Sequence, residues 1–322
     1  MEDRRGIPEE GGGKGMMKEV REELIRLAEG QALFDEPLGK HTSMGVGGRA
    51  WAVVFPNRRE RLGEILALLK EREIPALPVG NWTNIIARDG GYRGVIICLK
   101  NLCSVRMISG PAGATHLQAE AGASLSALVN MSAAAGLAGM EFCAGIPGSV
   151  GGAVMMNAGA YGREIKDVLE ELVIMEPPGR TSSWPRERLQ FFYRRFVSPV
   201  EEGVILSATF HVETANREEI RRRIEEIRNT RREKHPLEYR SAGSVFKNPP
   251  GHPAGRLIDE AGLKGLRIGD AQVSEKHGNF IVNRGGATAG DVLSLIEMVR
   301  EQVFRKKGVR LETEIIVIGE DS

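Results

Sequence analysis

The sequence predicts a protein of the α+β class with about two domains, and three observations support this. At 322 residues, the chain is about twice as long as an average domain. Residues 51–79 read as strand, helix and strand with short connections, which is a small βαβ-like unit. Residues 93–121 then change to strands separated by short turns, with helices further along. Both helical and strand patterns are therefore expected in one chain.

Apolar spacing defines the elements of the first part of the chain. Residues 17–29 and 58–72 place their apolar side chains at helical spacing, and each predicts an amphipathic helix. The run Trp51–Phe55 is stopped by Pro56, and the run Ala76–Val79 is ended by Gly80, so both predict short strands. Three further strands are predicted at 93–99, 103–109 and 115–121.

The rest of the chain alternates between strands, helices and irregular segments. A helix is expected over 124–135 with Ser124 as its cap, and the capping box of Thr288 and Asp291 opens a second helix that ends near Lys307. A polar, irregular stretch separates two strands, and a glycine-punctuated segment extends to Gly286. The remaining predicted elements are strands at 169–175, 204–212 and 311–318, and a charged helix at 215–234.

Composition excludes several classes of protein. Lys and Arg number 44 against 43 Asp and Glu, and a net charge of +1 gives too weak a field for non-specific binding of nucleic acid. No apolar run is long enough for a membrane span, and the N-terminus lacks the apolar core of a secretory signal. The arginines of 215–234 alternate with acids, so this helix is interpreted as a solvated face. We expect a cytoplasmic monomer that takes a small-molecule substrate and binds neither nucleic acid nor membrane.

Cysteine and histidine spacing gives no sign of a disulfide framework or a metal site. The cysteines Cys98, Cys103 and Cys143 are odd in number and scattered, which is typical of a reducing compartment. No two histidines have the spacing of a zinc motif, and the cysteines lie apart from them. The sequence therefore predicts no metal ligands.

Changes in pattern along the chain suggest its division. Residues 1–16 have no periodicity and are predicted to form a disordered tail. Residues 17–80 and 81–214 are expected to form two parts of one domain, and 215–322 a second domain.

Glycine is enriched, and its clustering suggests a ligand site. The 40 glycines are about 12% of the chain, against a usual value of about 7%. The stretch Gly45–Ala50 matches GxGxxA, but it precedes a strand instead of following one, so we reject a Rossmann site there. The stretches 79–86 and 144–162 combine glycines with Asn, Ser and Thr, as in loops whose N–H groups bind phosphate. Tight turns explain any one cluster equally well, but the two together favour a dinucleotide-type cofactor.

Four longer motifs resemble those of a known family. They are AGIPGSVGGAVMMNAGAYG at 144–162, SAGSVFKNP at 241–249, AGRLIDEAGLKG at 254–265 and HGNFIVNRGGATAGDV at 277–292. The chain resembles the UDP-N-acetylenolpyruvoylglucosamine reductases from about residue 38 to 319, in their shorter type. The resemblance implies a two-part FAD-binding domain of the vanillyl-alcohol-oxidase type, followed by an α+β substrate-binding domain.

The resemblance also implies a reaction and its participants. NADPH would reduce a non-covalently bound FAD, and the enolpyruvyl ether of UDP-N-acetylglucosamine would then take a hydride and a proton to give UDP-N-acetylmuramate. Hydride addition builds charge on the carboxylate conjugated to the alkene, so a cation and a proton donor are required.

Three residues occupy the family's catalytic positions. Arg194 of the FxYR motif would hold the carboxylate, with Arg195 as its neighbouring rival. Ser244 of the AGS motif would donate the proton, with Lys247 or Lys234 as a base that restores it through water. Glu314 of the LExE motif is the third; strand alternation places both it and Glu312 on the face of Ile316 and Ile318, and only the family position distinguishes them.

The same resemblance assigns the binding residues. The residues expected to hold the cofactor are Gly80, Asn81, Thr83, Asn84, Gly145, Ile146, Pro147, Gly148, Ser149, Gly151, Gly152, Asn157, Gly159 and Tyr161. The residues expected at the substrate are Tyr193, Lys234, Lys247, Asn248 and Asn283.

Three positions depart from the family pattern. Trp82 replaces a glycine in the first loop, Phe196 replaces a serine after the FxYR motif, and Arg240 replaces a proline before the AGS motif. Trp82 could crowd the loop or stack on an aromatic ring. Two alternatives therefore stay open: another flavoprotein of the same cofactor fold, such as an oxidase, and a non-catalytic FAD binder.

Overall fold

The computed structural model describes residues 14–110 and 115–321, and these form two compact units. The first unit contains the described residues up to Phe34, together with Trp51–Asn81 and Arg93–Arg228. The second contains Asp35–Ala50, Trp82–Tyr92 and the described chain from Asn229 onward. Two short segments of the N-terminal half thus belong with the C-terminal part, which no local pattern indicates. The predicted boundaries near residues 80 and 215 stay predictions.

Seven α-helices are present in the described residues. They are α1 Lys14–Leu27, α2 Arg59–Glu71, α3 Leu125–Ala135, α4 Val150–Met155, α5 Arg217–Lys234, α6 Ala254–Glu260 and α7 Ala289–Lys307. The strands, in chain order, are β1 Ala32–Pro37, β2 Arg49–Val54, β3 Ala76–Val79, β4 Ile85–Ala87, β5 Tyr92–Cys98, β6 Val105–Ser109, β7 Thr115–Glu120, β8 Leu137–Ala138, β9 Gly159–Ala160, β10 Arg163–Glu164, β11 Leu169–Glu176, β12 Arg180–Pro185, β13 Gln190–Phe192, β14 Arg195–Val197, β15 Val204–His211, β16 Glu213–Thr214, β17 Arg240–Ser244, β18 Arg267–Ile268, β19 Ala271–Val273, β20 Phe280–Asn283 and β21 Ile316–Ile318.

A five-stranded antiparallel sheet organises the first unit, in the order β12-β11-β15-β7-β6. Strand β15 is buried along seven of its eight residues, and these include the polar Ser207 and Thr209, so neither of its faces is open to solvent. A smaller sheet has the order β1-β2-β5-β3, with β3 and β5 parallel. Helix α2 contributes Leu62, Ile65 and Leu66 to the apolar core of this unit.

The second unit contains an antiparallel sheet in the order β17-β20-β19-β18. Helix α7 packs on β18 and β19 and also contacts α6. Its residues Val292, Leu295, Ile296, Val299 and Val303 form one buried stripe at helical spacing. A separate two-stranded parallel sheet pairs β4 with β21.

Most predicted helices are confirmed, including two of their caps. The Ser124 side chain accepts a hydrogen bond from Ala127 N at the start of α3, and the capping box of Thr288 and Asp291 is present at α7. Helix α1 begins at Lys14, three residues inside the predicted tail, while residues 1–13 lie outside the described part of the chain. The α+β class is confirmed by the mixture of helices and antiparallel sheets.

Two expectations about strands were wrong. The strand predicted over 311–318 is confined to Ile316–Ile318, because the preceding backbone bonds instead to the segment after β17. Glu314 therefore lies outside the strand, and Ile316 is exposed while Ile315 is buried, so the alternation argument fails. The polar stretch between β11 and β15 is not irregular, because it forms β12 and the β13–β14 hairpin.

The cap of α7 generates a stability prediction. We expect Thr288→Ala to lower the free energy of unfolding by about 1 kcal/mol, because Asp291 N loses its acceptor. Urea denaturation measures the change, and Thr288→Ser is the matched control, since it keeps the hydroxyl. An equal loss in both variants would contradict the capping role.

Candidate functional site

The loop Gly145–Gly152 is held in place by its own backbone and by one serine. Gly145 and Gly148 have φ angles of 72° and 144°, and α4 starts directly after them. The Ser149 side chain caps α4 by accepting from Gly152 N at 3.2 Å. Leu125 N donates to Gly148 O at 3.0 Å and Val150 N to Ala123 O at 2.8 Å, which attaches the loop to the start of α3.

Gly80 brings the two predicted glycine loops together. A Cβ atom at Gly80 would overlap the Oγ of Ser149 and lie 2.7 Å from its Cβ. Glycine is therefore required there by close packing, since no larger residue fits. Cys98 Sγ also donates to Gly80 O at 3.6 Å. Two segments that are separate in sequence thus form one loop cluster within the first unit.

The donors of this cluster fit an anionic group such as the pyrophosphate of FAD. The N–H groups of Gly145 and Gly148 make no hydrogen bond to another residue in 14–110 or 115–321. Gly145 is exposed and Gly148 is partly exposed. Backbone N–H groups presented by a turn of this kind bind phosphate oxygens.

Trp82 adopts a left-handed backbone conformation, with φ 56°. Its side chain is 5% exposed and stacks on His41, with ring centroids 5.5 Å apart and an angle of 31° between the rings. Its carbonyl accepts from Ser43 N at 3.2 Å. Of the two expectations for Trp82, stacking on an aromatic ring is confirmed.

Arg194 is held at the tip of a hairpin. It follows Tyr193 in the two-residue loop between β13 and β14, and its φ of 56° is left-handed. Its Nη2 donates to Gly159 O at 3.1 Å, and its Nη1 lies 3.8 Å from Glu164 Oε1. The side chain is 16% exposed. This strained, anchored arginine is the geometry expected of a functional residue.

The neighbours of Arg194 have different environments. Arg195 lies exposed on β14, which distinguishes it from the anchored Arg194. Phe196 is 4% exposed and packs on Phe191, with ring centroids 4.8 Å apart. The departure from serine at this position therefore adds an apolar side chain to the core.

Ser244 and Glu314 are brought together by backbone pairing in the second unit. Gly243 has φ 78°, and the register of β17 against β20 shifts between Ser241 and Ser244. After this irregularity Glu314 N donates to Val245 O at 2.8 Å, so the residue beside Ser244 is bonded directly to Glu314. The two predicted catalytic residues thus lie on adjacent segments.

Two asparagines hold these segments. Asn84 Nδ2 donates to Glu314 O at 3.1 Å, which connects the end of the first glycine loop to the predicted catalytic glutamate. Asn279 is 5% exposed, accepts from Phe246 N at 2.9 Å and donates to Phe246 O at 2.8 Å. Asn279 lies in the HGNF motif, but no role is predicted for it from the motif. A buried amide that satisfies both groups of one distant residue can be identified only from the fold.

The predicted substrate residues have varied surroundings. Lys247 Nζ lies 3.4 Å from Glu312 Oε2, and Asn248 Oδ1 accepts from Ala254 N at 2.9 Å. The buried Asn283 donates to Met44 O at 3.0 Å and accepts from Gly285 N and Ala287 N. Lys234 ends α5. The side-chain amide of Asn283 bonds to Met44, Gly285 and Ala287, so it stabilises the local fold. Contact between Asn283 and the substrate stays a prediction.

Of three further predicted cofactor residues, Asn157 and Gly159 lie near Arg194. Asn157 is fully buried, and its Nδ2 donates to Glu164 Oε2 and Phe192 O, each at 3.0 Å. Gly159 supplies the carbonyl that holds Arg194. Tyr161 is 50% exposed. Their contact with FAD stays a prediction.

Burial changes the acid–base properties of a histidine and a thiol. Burial, with help from the Arg231 charge, lowers the pKa of His235 to about 4. His235 therefore stays uncharged at neutral pH. Burial raises the pKa of the Cys143 thiol to about 12, so Cys143 is unsuited to nucleophilic chemistry.

The third departure, Arg240, has a defined place. Its guanidinium lies against Gly45, where an added Cβ would be 3.0 Å from Arg240 Cδ.

The catalytic candidates divide between the units, with Arg194 in the first and Ser244 and Glu314 in the second.

The chain is similar in sequence to two known families and to several known proteins. Residues 50–183 match the family described as FAD binding domain, and residues 235–318 match the C-terminal domain of UDP-N-acetylenolpyruvoylglucosamine reductase. The proteins of that name from Syntrophus aciditrophicus and Caldanaerobacter subterraneus are 48% and 44% identical, covering 94% and 91% of this chain and 96% of each relative.

A solved structure extends the similarity to the fold. The crystal structure of UDP-N-acetylenolpyruvylglucosamine reductase from Thermus caldophilus superimposes with a TM-score of 0.75 at 37% identity, over 89% of this chain and 97% of that one. The expected arrangement of an FAD-binding domain followed by a second α+β domain is confirmed by these matches.

The contact between Gly80 and Ser149 generates a prediction about cofactor retention. We expect Gly80→Ala to lower FAD affinity at least tenfold, because the new methyl group forces the two loops apart. Fluorescence titration of the apoprotein with FAD measures the affinity.

The matched second variant is Gly80→Ala with Ser149→Gly. The nearest remaining atom of residue 149 is then Cα, 3.9 Å from the new methyl group, so binding should recover in part. Equal losses in the single and double variants would show that the contact is not responsible.

Proposed function

The chain belongs to the UDP-N-acetylenolpyruvoylglucosamine reductase family, and from this we propose that it reduces the enolpyruvyl ether of UDP-N-acetylglucosamine to UDP-N-acetylmuramate. NADPH is the source of the hydride, and the reaction serves the synthesis of peptidoglycan precursors. The observation that carries the proposal is the similarity along nearly the whole chain, together with the intact positions Arg194, Ser244 and Glu314.

Bound FAD would supply the hydride-transfer chemistry that connects NADPH to the substrate alkene. Gly80, Asn81, Thr83 and Asn84 of the first loop and the segment Gly145–Gly152 would hold this cofactor. The N–H groups of Gly145 and Gly148 make no hydrogen bond to another described residue and are donors of the kind that pyrophosphate needs. Tight packing between Gly80 and Ser149 keeps both loops in one arrangement.

Arg194 would hold the carboxylate of the enolpyruvyl group. A guanidinium offers parallel N–H donors that match the two carboxylate oxygens. Charge grows on that carboxylate as the hydride adds, so a fixed cation stabilises the transition state more than the ground state. The contacts with Gly159 O and Glu164 limit the movement of the side chain.

Ser244 would give its hydroxyl proton to the carbon next to the carboxylate. A free hydroxyl is a weak acid, so the proton transfer depends on neighbouring groups that stabilise the resulting charge. The backbone bond between Glu314 and Val245 places the glutamate segment beside the serine segment. Glu314, in its protonated form, would donate a hydrogen bond to the negative charge that develops, and Lys247 or Lys234 would restore the serine proton through water. Tyr193, Asn248 and Asn283 complete the proposed substrate contacts.

The setting of the reaction forms part of the same proposal. We propose a cytoplasmic enzyme that acts as a monomer on a nucleotide-linked sugar. Cys98, Cys103 and Cys143 are all free thiols, which fits a reducing compartment. Among the described residues, no helix is both long and apolar enough to cross a membrane.

Anaerobic absorption spectroscopy tests the proposed reaction directly. NADPH should bleach the flavin bands of the purified protein, and the UDP-enolpyruvyl sugar should restore them. Bleaching without recovery would mean that the protein is a flavoprotein with another acceptor. A protein that cannot be loaded with FAD would be neither the proposed reductase nor another flavoprotein.

The same assay defines the role of Ser244. We expect Ser244→Ala to slow recovery of the flavin bands by the sugar at least 100-fold, because the proton donor is lost. Bleaching by NADPH should be unchanged, since no proton is delivered to the substrate in that step. Recovery at the normal rate would remove Ser244 from the mechanism, and Ser241→Ala is the matched control.

Replacement of Arg194 by glycine separates function from stability. We expect Arg194→Gly to reduce turnover at least 1000-fold because the carboxylate loses its cation. Thermal stability should fall little or not at all, because a left-handed arginine costs about 1 kcal/mol and glycine does not. Melting curves and steady-state rates measure the two effects.

The control for this variant is Arg195→Ala on the exposed neighbour. Normal turnover of Arg195→Ala with inactive Arg194→Gly supports the assignment. The opposite pattern would transfer the role to Arg195.

A further inference from the structure

Four side chains on one part of the first unit form a cluster outside the predicted active site. They are His116 at β7, His211 at β15, Glu170 at β11 and Glu213 at β16. His116 and His211 are directly paired across the antiparallel strands. One ligand atom from each of His116, His211 and Glu170 lies within 4.8 Å of the other two. We propose that His116, His211 and Glu170 bind a divalent transition metal ion, with zinc as the best match.

The distances within the cluster suit one ion. His211 Nδ1 lies 3.8 Å from Glu170 Oε1. Two ligand atoms of a tetrahedral zinc ion are about 3.4 Å apart, because each bond is about 2.1 Å long. The ligand atoms of the three residues lie within 4.8 Å of one another, so the side chains would have to approach by at most about 1.4 Å to reach that spacing. Two imidazoles and one carboxylate form a common zinc ligand set, with the fourth position open to water.

Glu213 would orient His211 for this role. Its Oε1 lies 3.4 Å from His211 Nε2, on the opposite ring nitrogen from Glu170. A proton on Nε2 then leaves the lone pair of Nδ1 directed toward Glu170. Histidines that bind metals generally donate their second N–H to a carboxylate in this way.

His116 provides the most constrained member of the site. It is 7% exposed, and its Nδ1 has no hydrogen-bond partner within the described part of the chain. Burial restricts the imidazole and lowers the entropy lost when an ion binds. Sequence spacing could not suggest this site, because the two histidines meet only through strand register.

Zinc titration of the full chain, without an affinity tag and after treatment with a chelator, tests the proposal. A Cys103→Ser background removes the exposed thiol, which is a competing ligand. Isothermal titration calorimetry should give one zinc ion per chain. His211→Ala should weaken binding at least tenfold, and Glu213→Gln by about tenfold or more. The exposed His252→Ala is the control and should bind normally.

Two results would overturn the zinc site. One is the absence of saturable zinc binding by the Cys103→Ser protein, in which His116, His211 and Glu170 are unchanged. The other is binding of equal strength in the His211→Ala and His252→Ala variants.

Contacts unrelated to the zinc cluster suggest a role for Glu164. This second inference rests on the proposed function. Glu164 Oε1 faces Arg194 Nη1 at 3.8 Å, while Oε2 accepts from Asn157 Nδ2 at 3.0 Å and pairs with Lys166 Nζ at 2.8 Å. Asn157 in turn donates to Phe192 O, two residues before Arg194. We propose that Glu164 is a positioning residue that fixes the guanidinium of Arg194 for the substrate carboxylate.

The arrangement of these contacts explains why both oxygens of Glu164 are needed. Asn157 and Lys166 fix the carboxylate through one oxygen, and the other oxygen keeps its charge toward Arg194. The Gly159 carbonyl holds the second guanidinium nitrogen. An arginine restrained on two nitrogens loses less conformational entropy when it binds a substrate.

The two half-reactions test this role. We expect Glu164→Gln to reduce kcat/KM for the enolpyruvyl sugar at least tenfold, while NADPH reduces the flavin at the normal rate. Glu164→Asp should recover part of the loss, and the exposed Glu187→Gln should match the unmodified protein. Equal slowing of both half-reactions would indicate a merely structural role and overturn the inference. Unchanged kinetics would also overturn it. Failure of the unmodified protein to react with the sugar would instead overturn the proposed function.

Discussion

The close approach of Gly80 to the Ser149 side chain is the constraint on which the proposed cofactor site depends. Ser149 also caps α4, and the residues on either side of it are bonded to the start of α3. Movement of one loop would therefore disturb a helix cap and two backbone hydrogen bonds. This coupling explains how a flexible, glycine-rich sequence can present N–H donors in one fixed arrangement. Rigidity comes from packing, because glycine alone would only increase the entropy lost on folding.

A comparable constraint operates in the second unit, where backbone pairing replaces close packing. The segment after β17 bonds to residues 312–314 through Lys247 N, Val245 O and the bridge of Phe246 to Thr313. Asn279 satisfies both backbone groups of Phe246, and Asn84 holds the Glu314 carbonyl. Buried amides of this kind are costly if any partner is lost. The segments that carry Ser244 and Glu314 are thus held by Asn279, which has no role in the proposed chemistry, and by Asn84, a predicted cofactor residue.

Local physics explains which features could be predicted from the sequence. Helices α2, α3 and α7 carry apolar spacing or caps within their own residues, so their prediction needs no knowledge of the fold. The strand expected over 311–318 failed because residues 311–315 pair with a distant segment, and pairing is not written in local alternation. Pairing between distant segments also determines the role of Asn279 and the contact between His116 and His211, so neither could be predicted from local sequence. Sequence motifs identified the segments that carry the predicted site. The hydrogen-bond partners of individual side chains could be found only from the register of the strands.

The left-handed conformation of Arg194 shows how the fold and the proposed chemistry compete. A two-residue hairpin loop favours glycine or asparagine at such a position, and arginine is strained there. The surrounding contacts with Gly159 and Glu164 offset part of that cost, but a glycine would need none of them. The tip of a hairpin has a compensating property, because it presents a side chain away from the sheet on a short, stiff support. An arginine that must hold a carboxylate while charge develops needs such a support, and the strain is the consequence of placing it there.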